Sequence, residues 1–196
     1  MGTVIDYENE NEKQFCNQAV AEMKDKYELA MLISGGQTGV DRAALDFAMA
    51  NGIQHAGWCP LGRRAEDGVI PDCYHLIEAD TPLYQQRTRL NVRDSQATLI
   101  IRDEKKRSRG TALTAKYAEK QKKPFLLIDI GNFDCDEIKK WLRRVRPLIL
   151  NVAGPRASES GASAAVATAI LMTVICADQH AAVSWPPEKP FTRSLF

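Results

Sequence analysis

The amino-acid sequence predicts an α/β fold in which helices cover both faces of a doubly wound parallel sheet. Its apolar residues form short continuous runs: LAMLI at 29–33, ATLII at 97–101, KPFLLIDI at 123–130 and RPLILNV at 146–152. A strand has this pattern when both of its faces are buried, as in a parallel sheet between two layers of helices. Helical segments separate the runs, and this alternation is typical of α/β proteins.

The helical segments carry recognisable start and stop signals. The first is expected at residues 38–50, because the Asn51-Gly52 step that follows it is a common helix terminus. Three more helices are expected at residues 111–121, 135–144 and 162–177.

The length of the chain fits one main domain. It has 196 residues, enough for a folded chain to bury roughly 70% of its unfolded surface. Apolar residues recur at helical spacing before residue 28, and the chain ends in a Pro-rich segment. We therefore predict an N-terminal helical extension at 1–28, a ligand-binding domain at 29–182 and a C-terminal tail at 183–196.

The overall composition limits the partners. Lys and Arg number 26 against 25 Asp and Glu, so a net charge of +1 gives no general attraction to nucleic acid or to a membrane. Five cysteines form no CxxC pair, which is typical of reduced thiols rather than of disulfides or a zinc site. The acidic start, MGTVIDYENENEK, does not resemble a signal peptide, and we expect a cytoplasmic protein.

The strongest local signal is SGGQTGVDR at residues 34–42, which follows the first apolar run. Its three glycines permit positive φ and close backbone approach, and a helix start presents unpaired N–H groups to an anion. The spacing fits neither a Walker A loop nor the dinucleotide GxGxxG motif. The simpler alternative is a tight turn capped by Thr38. The candidate ligand-binding residues of this loop are Ser34, Gly35, Gly36, Gln37, Thr38 and Gly39.

Two later loops also lead from a strand to a helix. RSRGTALT at 107–114 combines a Gly-Thr step with Arg107 and Arg109, and NVAGPRASESG at 151–161 contains Arg156. The carboxyl ends of parallel strands meet at one edge of a sheet, so these loops and the first glycine loop are expected to surround one pocket. Together they favour a ligand that carries phosphate.

A long segment, GWCPLGRRAEDGVIPDCY at 57–74, contains too many glycines and prolines for regular structure. Trp58 could stack on a planar ring, Arg63 and Arg64 could bind phosphate, and Glu66 and Asp67 could accept hydrogen bonds from ring or ribose groups. The alternative is a loop held in place by Arg–carboxylate pairs. His55 and His75 lack metal-type spacing, so we expect no metal site made by the protein.

The segment RTRLNVRDS at 87–95 precedes the second apolar run and carries Arg87, Arg89, Arg93 and Asp94. The arginines of this segment could contact an anionic ligand, or the segment could be a solvent-exposed helix.

In order along the chain, SGGQTGVDRAALDFA, GWCPLGRRAEDGVIP, QRTRLNVRDS, GTALT and NVAGPR resemble the putative molybdenum carrier family. That family is similar to a circularly permuted branch of the Rossmann-like nucleotide-binding proteins that include the lysine-decarboxylase-like phosphoribohydrolases. The resemblance implies a Rossmann-like fold and a pocket for a nucleotide-like ligand. Molybdenum cofactor, a planar ring system with a phosphate, would suit such a pocket. The phosphate-contacting residues that it implies are Gly35, Gly36, Thr38, Gly39, Gly110, Thr111 and Thr114, with Arg63, Arg64, Glu66 and Asp67 in the adjoining loop.

The chain departs from the family pattern in three places. Leu61 stands where a lysine is usual, Gln96 where an aspartate is usual, and Arg109 where a pair of glycines would begin. Arg109 bears most on the site, because its side chain occupies space that the family leaves to the backbone.

Two principal functions remain open. One is a binding or carrier protein for molybdenum cofactor or a related nucleotide-like ligand. The other is a hydrolase of a nucleotide N-glycosidic bond. Related hydrolases resemble one another in a catalytic glutamate at the position where Thr114 stands here, which counts against this function, but Glu66 or Asp67 could supply a carboxylate instead. A sensor that binds a nucleotide without reacting it is a third possibility.

The helix expected at 162–177 has apolar residues on nearly every face, and such a helix must be buried. We predict that part of it forms a contact between subunits of a homo-oligomer. Sedimentation velocity at micromolar concentration should show a species larger than one chain. A strict monomer would contradict the prediction.

Overall fold

The computed structural model describes residues 29–106 and 108–176. The extension expected at 1–28 and the tail expected at 183–196 lie outside the described residues.

The α/β fold class is confirmed. Five parallel strands form the central sheet in the order β2-β1-β9-β7-β8, and four short strands lie outside it. The strands are β1 Met31–Ile33, β2 Gln54–Ala56, β3 Trp58–Cys59, β4 Arg64–Ala65, β5 Gly68–Val69, β6 Ile77–Glu78, β7 Ala97–Arg102, β8 Phe125–Asp129 and β9 Ile149–Ala153. The helices are α1 Val40–Ala50, α2 Tyr84–Asp94, α3 Arg109–Lys120, α4 Cys135–Val145 and α5 Ser163–Leu171, which continues as a π-helical turn, Met172–Cys176.

The strand order is that of a Rossmann fold whose chain begins at the second strand. If β9 is counted first, followed by β1, β2, β7 and β8, the sheet order becomes 3-2-1-4-5. The last strand of this chain therefore lies at the centre of the sheet, between β1 and β7. The strand order reverses between β9 and β7, which is where open α/β sheets bind their ligands.

Helices cover both faces of the sheet. The largest hydrophobic cluster joins β-strand residues such as Leu32, Leu99 and Leu150 to buried side chains of α1, α4 and α5. Helices α2 and α3 pack against each other and against the central strands β9 and β7 from the other side. The continuous apolar runs in the sequence follow from this double burial.

The segment between β2 and α2 holds the short strands. β3 pairs in parallel with β6, and β4 pairs with β5 in a small hairpin. Arg63 organises this segment, since its guanidinium donates hydrogen bonds to the carbonyl oxygens of Ile70, Pro71, Tyr74 and Leu76. The glycines and prolines here thus form an ordered loop with short strands, rather than one without regular structure.

Gly57 fixes the path between β2 and β3. Its φ is +147°, and a Cβ atom there would overlap the carbonyl oxygen of Ser34. Gly52 has a φ of +66°, but a Cβ atom at that position would meet nothing within 4 Å. Both positions have a positive φ, which favours glycine. At Gly57 a side chain would in addition overlap the backbone of Ser34.

We therefore expect Gly57→Ala to reduce the free energy of unfolding by about 3 kcal/mol or more, because strain and overlap act together. Gly52→Ala is the matched control, with an expected loss of about 1–2 kcal/mol from positive φ alone. Urea denaturation of both variants measures the difference. Equal losses would show that the Ser34 contact is relieved at little cost.

Candidate functional site

A cavity of about 730 Å³ lies where the loops after β7 and β9 meet the start of α2. Ligand pockets commonly enclose about 300–1,000 Å³, so the cavity can hold a small molecule. It occupies the crevice between β9 and β7 where the strand order reverses. Its lining residues are Gln37, Arg64, Pro82, Leu83, Tyr84, Gln85, Arg87, Thr88, Ser108, Arg109, Gly110, Leu113, Gly154, Arg156 and Glu159.

Among the described residues, four arginines line the cavity, and two of them are neutralised by nearby carboxylates. Arg87 Nη1 lies 2.8 Å from Asp41 Oδ2. Arg156 Nε lies 3.2 Å from Glu159 Oε1 and 3.7 Å from Glu66 Oε2. These pairs fix the positions of two guanidinium groups at the wall.

Arg64 and Arg109 are different. Both residues line the cavity and are exposed to solvent. Neither has an ion-pair partner among the residues that the structure describes. An unpaired guanidinium is a ready donor to phosphate or carboxylate, because its planar fork can bind two oxygens. The cavity thus retains positive charge after its internal pairs are counted.

The N-terminus of α3 adds to this positive character. Ser108 caps the helix by accepting a hydrogen bond of 3.3 Å from the Thr111 N–H. Arg109 and Gly110, the first two helical residues, have N–H groups that find no acceptor within the helix. The Oγ1 atom of Thr111 is buried and has no hydrogen-bond partner in the described part of the chain. Anions bind well at such helix starts.

Part of the cavity wall is apolar. Pro82, Leu83 and Tyr84 at the start of α2 face the cavity together with Leu113 of α3. Leu83 is 59% exposed and Tyr84 is 40% exposed, so this wall is also reachable from solvent. The cavity therefore offers a ligand both cationic groups and apolar surface.

Of the residues predicted for the first glycine loop, Gln37 lines the cavity in the described structure. The Gln37 side-chain oxygen accepts hydrogen bonds from the N–H groups of Thr38, at 3.0 Å, and Glu66, at 2.9 Å. Ser34 is buried and donates to the Val152 carbonyl at 2.6 Å. The loop is therefore joined to β9 and to the segment that carries Glu66.

The glycines of this loop make close packing possible. Gly36 has a φ of +74°, and a Cβ atom there would lie 2.5 Å from Leu76 Cδ1. Gly39 has a φ of +77°, and its Cβ atom would lie 2.5 Å from the Pro155 carbonyl oxygen. Protein atoms therefore occupy the space next to Gly36 and Gly39. Contact of these two glycines with a ligand stays a prediction.

Glu66 connects three segments. Its carboxylate accepts hydrogen bonds from the hydroxyl of Thr38 and from both the N–H, at 3.1 Å, and the hydroxyl of Ser158. Thr38 Oγ1 in turn accepts from the Ala157 N–H at 3.1 Å. Desolvation acts to raise the pKa of Glu66, but the hydrogen bonds from Ser158 and Thr38 and the charge of Arg156 outweigh it, so the pKa is lowered.

Other residues predicted for the site serve the surrounding structure. Trp58 is buried and donates from Nε1 to Asp94 Oδ2 at 2.6 Å. Asp67 forms a two-point ion pair with Arg42, and its pKa is lowered mainly by that hydrogen bonding. The Arg63 guanidinium is engaged by backbone carbonyls, and Thr114 donates to the Gly110 carbonyl at 3.0 Å. Ligand contacts by these residues remain predictions.

The structure also brings forward residues that the sequence did not single out for the site. Asp41 is buried and paired with Arg87, and Tyr84, Leu83 and Leu113 form the apolar wall. Arg87 belonged to a segment for which a solvent-exposed helix was an equal alternative. The buried positions along α2 are those of a helix packed on other elements. No local sequence pattern, however, indicates that Arg87 pairs with Asp41.

His55 and His75 stack on each other and do not line the cavity. The rings of His55 and His75 lie 4.7 Å apart with an interplanar angle of 13°. Burial is the main reason that the pKa of His55 is lowered. Within residues 29–106 and 108–176, no group of three or more His, Cys, Asp or Glu side chains is arranged to hold a metal ion. In the same ranges, no helix has the length and apolar character needed to cross a membrane.

Comparison with known proteins agrees with the permuted strand order. Residues 32–175 match the model of the circularly permutated YpsA SLOG family. The chain belongs to this family. It is also similar to the crystal structure of a putative molybdenum carrier protein from Syntrophus aciditrophicus SB, with 41% sequence identity and a TM-score of 0.74. That match covers 78% of this chain and 99% of the other. No curated protein matches the chain.

Glu66 joins the first glycine loop to the loop after β9, and we expect Glu66→Gln to weaken this connection. The variant should lose about 1 kcal/mol or less of unfolding free energy at pH 7, because the hydrogen bonds then go to a neutral amide oxygen and solvent screens the exposed carboxylate. Because the folded pKa lies below the ordinary value, this contribution is present above about pH 4.3 and is lost as the pH falls through the folded pKa.

Denaturation of wild type and Glu66→Gln between pH 7 and pH 3.5 should therefore show a difference that shrinks toward low pH. Glu104→Gln is the control, since Glu104 pairs with Arg102 at the exposed surface and should matter by less than about 1 kcal/mol. A Glu66 effect that is independent of pH would contradict the assignment.

Proposed function

We propose that the protein binds a small phosphate-bearing ligand in the cavity and acts as a binding or carrier protein for molybdenum cofactor or a related nucleotide-like molecule. The observation that carries the proposal is the pair Arg64 and Arg109, cations without ion-pair partners in the described residues, beside the N-terminus of α3. Both features attract a dianionic phosphate.

The shape of the cavity supports a ligand that also has a ring. Tyr84 and Leu83 offer an aromatic and an aliphatic surface in the same cavity as the arginines. Molybdenum cofactor and mononucleotides both join a planar heterocycle to a phosphate. In the described structure the lining contains neither Cys nor His, so a metal carried by the ligand would keep the ligand's own donors.

The geometry favours binding over glycosidic hydrolysis. A hydrolase would need a carboxylate at the ligand, but Glu66 is engaged by Thr38 and Ser158 outside the cavity lining. Glu159 lines the cavity and is paired with Arg156. These pairings support a carrier or sensor that leaves its ligand intact.

Titration calorimetry with adenosine 5′-monophosphate and with molybdopterin tests the proposal. Arg109→Ala should weaken binding by about 1.5–3 kcal/mol, roughly ten- to a hundredfold, because a charge-assisted contact is lost. Lys120→Ala, at the other end of α3, is the matched control and should bind like wild type. Equal affinities of wild type and Arg109→Ala would contradict the proposed site.

The class of function is tested in the same samples. Chromatography after incubation should recover the mononucleotide without free base. Release of free base by wild type, and its loss in Glu66→Gln, would replace the carrier proposal with the hydrolase. Native mass spectrometry of the protein purified from cells would give the mass of a retained ligand.

A further inference from the structure

We infer that Gly35 and Asp41 act on the ligand through Arg87, as positioning residues that hold its guanidinium at the cavity wall. The inference rests on the proposed function, since it concerns how the same cavity recognises an anion. It assigns the first glycine loop a role other than direct contact with phosphate.

Arg87 lines the cavity from the first turn of α2. Its side chain is only 14% exposed, and its Nε atom is buried with no hydrogen-bond partner in the described part of the chain. A buried donor without an acceptor is costly, and most such groups in folded proteins are satisfied. An anion in the cavity would supply that acceptor after a small shift of the side chain, since the Nε atom itself has almost no exposed surface.

Asp41 holds the other end of the guanidinium. Its carboxylate is 3% exposed, lies 2.8 Å from Arg87 Nη1 and also accepts a hydrogen bond of 3.4 Å from the Gln37 N–H. A buried carboxylate without a partner would be strongly destabilising, so the two charges depend on each other. The ion pair fixes which edge of the guanidinium is left for a ligand.

Gly35 gives the guanidinium its space. A Cβ atom at Gly35 would overlap Arg87 Nη1 and Cζ and would lie 2.8 Å from Asp41 Oδ2. Gly35 is not among the glycines with positive φ, so its backbone conformation suits other residues as well. The requirement for glycine at this position is therefore the room that Arg87 occupies.

A double-mutant cycle with adenosine 5′-monophosphate tests the inference by calorimetry. Gly35→Ala should displace the guanidinium and weaken binding about tenfold when Arg87 is present, the loss of one charge-assisted contact. In the Arg87→Ala background the same change should alter affinity by less than about twofold, because the two effects share one cause. Equal weakening in both backgrounds would overturn the inference.

Asp41→Asn provides a second test that keeps the shape of the side chain. It should weaken binding of the mononucleotide about tenfold. Asp46→Asn is the matched control on the same helix, since Asp46 accepts a hydrogen bond from Tyr74 outside the cavity lining. Unchanged or tighter binding by Asp41→Asn would overturn the inference. If Gly35→Ala does not fold, this variant carries the test.

Nuclear magnetic resonance of the Arg87 Nε–H group separates failure of this inference from failure of the proposed function. In wild type the signal should exchange slowly with water and shift when the mononucleotide is added. Asp41→Asn and Gly35→Ala should accelerate the exchange, whereas Asp46→Asn should not. Wild type that binds neither molybdopterin nor the mononucleotide would contradict the proposed function, and an Arg87 signal unaffected by both variants would contradict the positioning role.

Discussion

The buried ion pair between Asp41 and Arg87 is the interaction on which the architecture of the site depends. It joins α1 to α2 across 46 positions of the chain, and the space for it exists because residue 35 is a glycine. The pair neutralises a carboxylate in the interior and leaves one edge of the guanidinium at the cavity. One contact therefore links the fold, the glycine loop and the proposed recognition of an anion.

The permuted chain order explains where this contact lies. Because β9 is inserted between β1 and β7, the last loop of the domain packs against the first. The Val40 N–H donates to the Pro155 carbonyl at 3.2 Å, and Glu66 binds Ser158 and Thr38. A crevice formed by loops from both ends of the domain exists only after the whole sheet has assembled. Ligand binding should thus report on complete folding of the domain.

The sequence predicted the parts of this architecture that depend on local patterns. Continuous apolar runs identified buried parallel strands, and the helix starting at Val40 lies within two residues of its expected start. Arg64 and Gly110 line the cavity, and their contact with a ligand stays a prediction. The Asp41–Arg87 pair was not predicted, because the partners of charged side chains are set by tertiary packing. The same holds for Arg63, whose binding to backbone carbonyls depends on the fold of its loop.

The central proposal is that the crevice between β9 and β7 holds an anion between Arg87 and the start of α3. A crystal structure of the protein with adenosine 5′-monophosphate tests this most directly. We predict that the phosphate lies within hydrogen-bond distance of the Arg109 and Arg87 guanidinium groups, with the base against Tyr84. A phosphate bound at the Gly36–Gly39 backbone, beyond hydrogen-bond distance of the Arg87 guanidinium, would contradict the proposal.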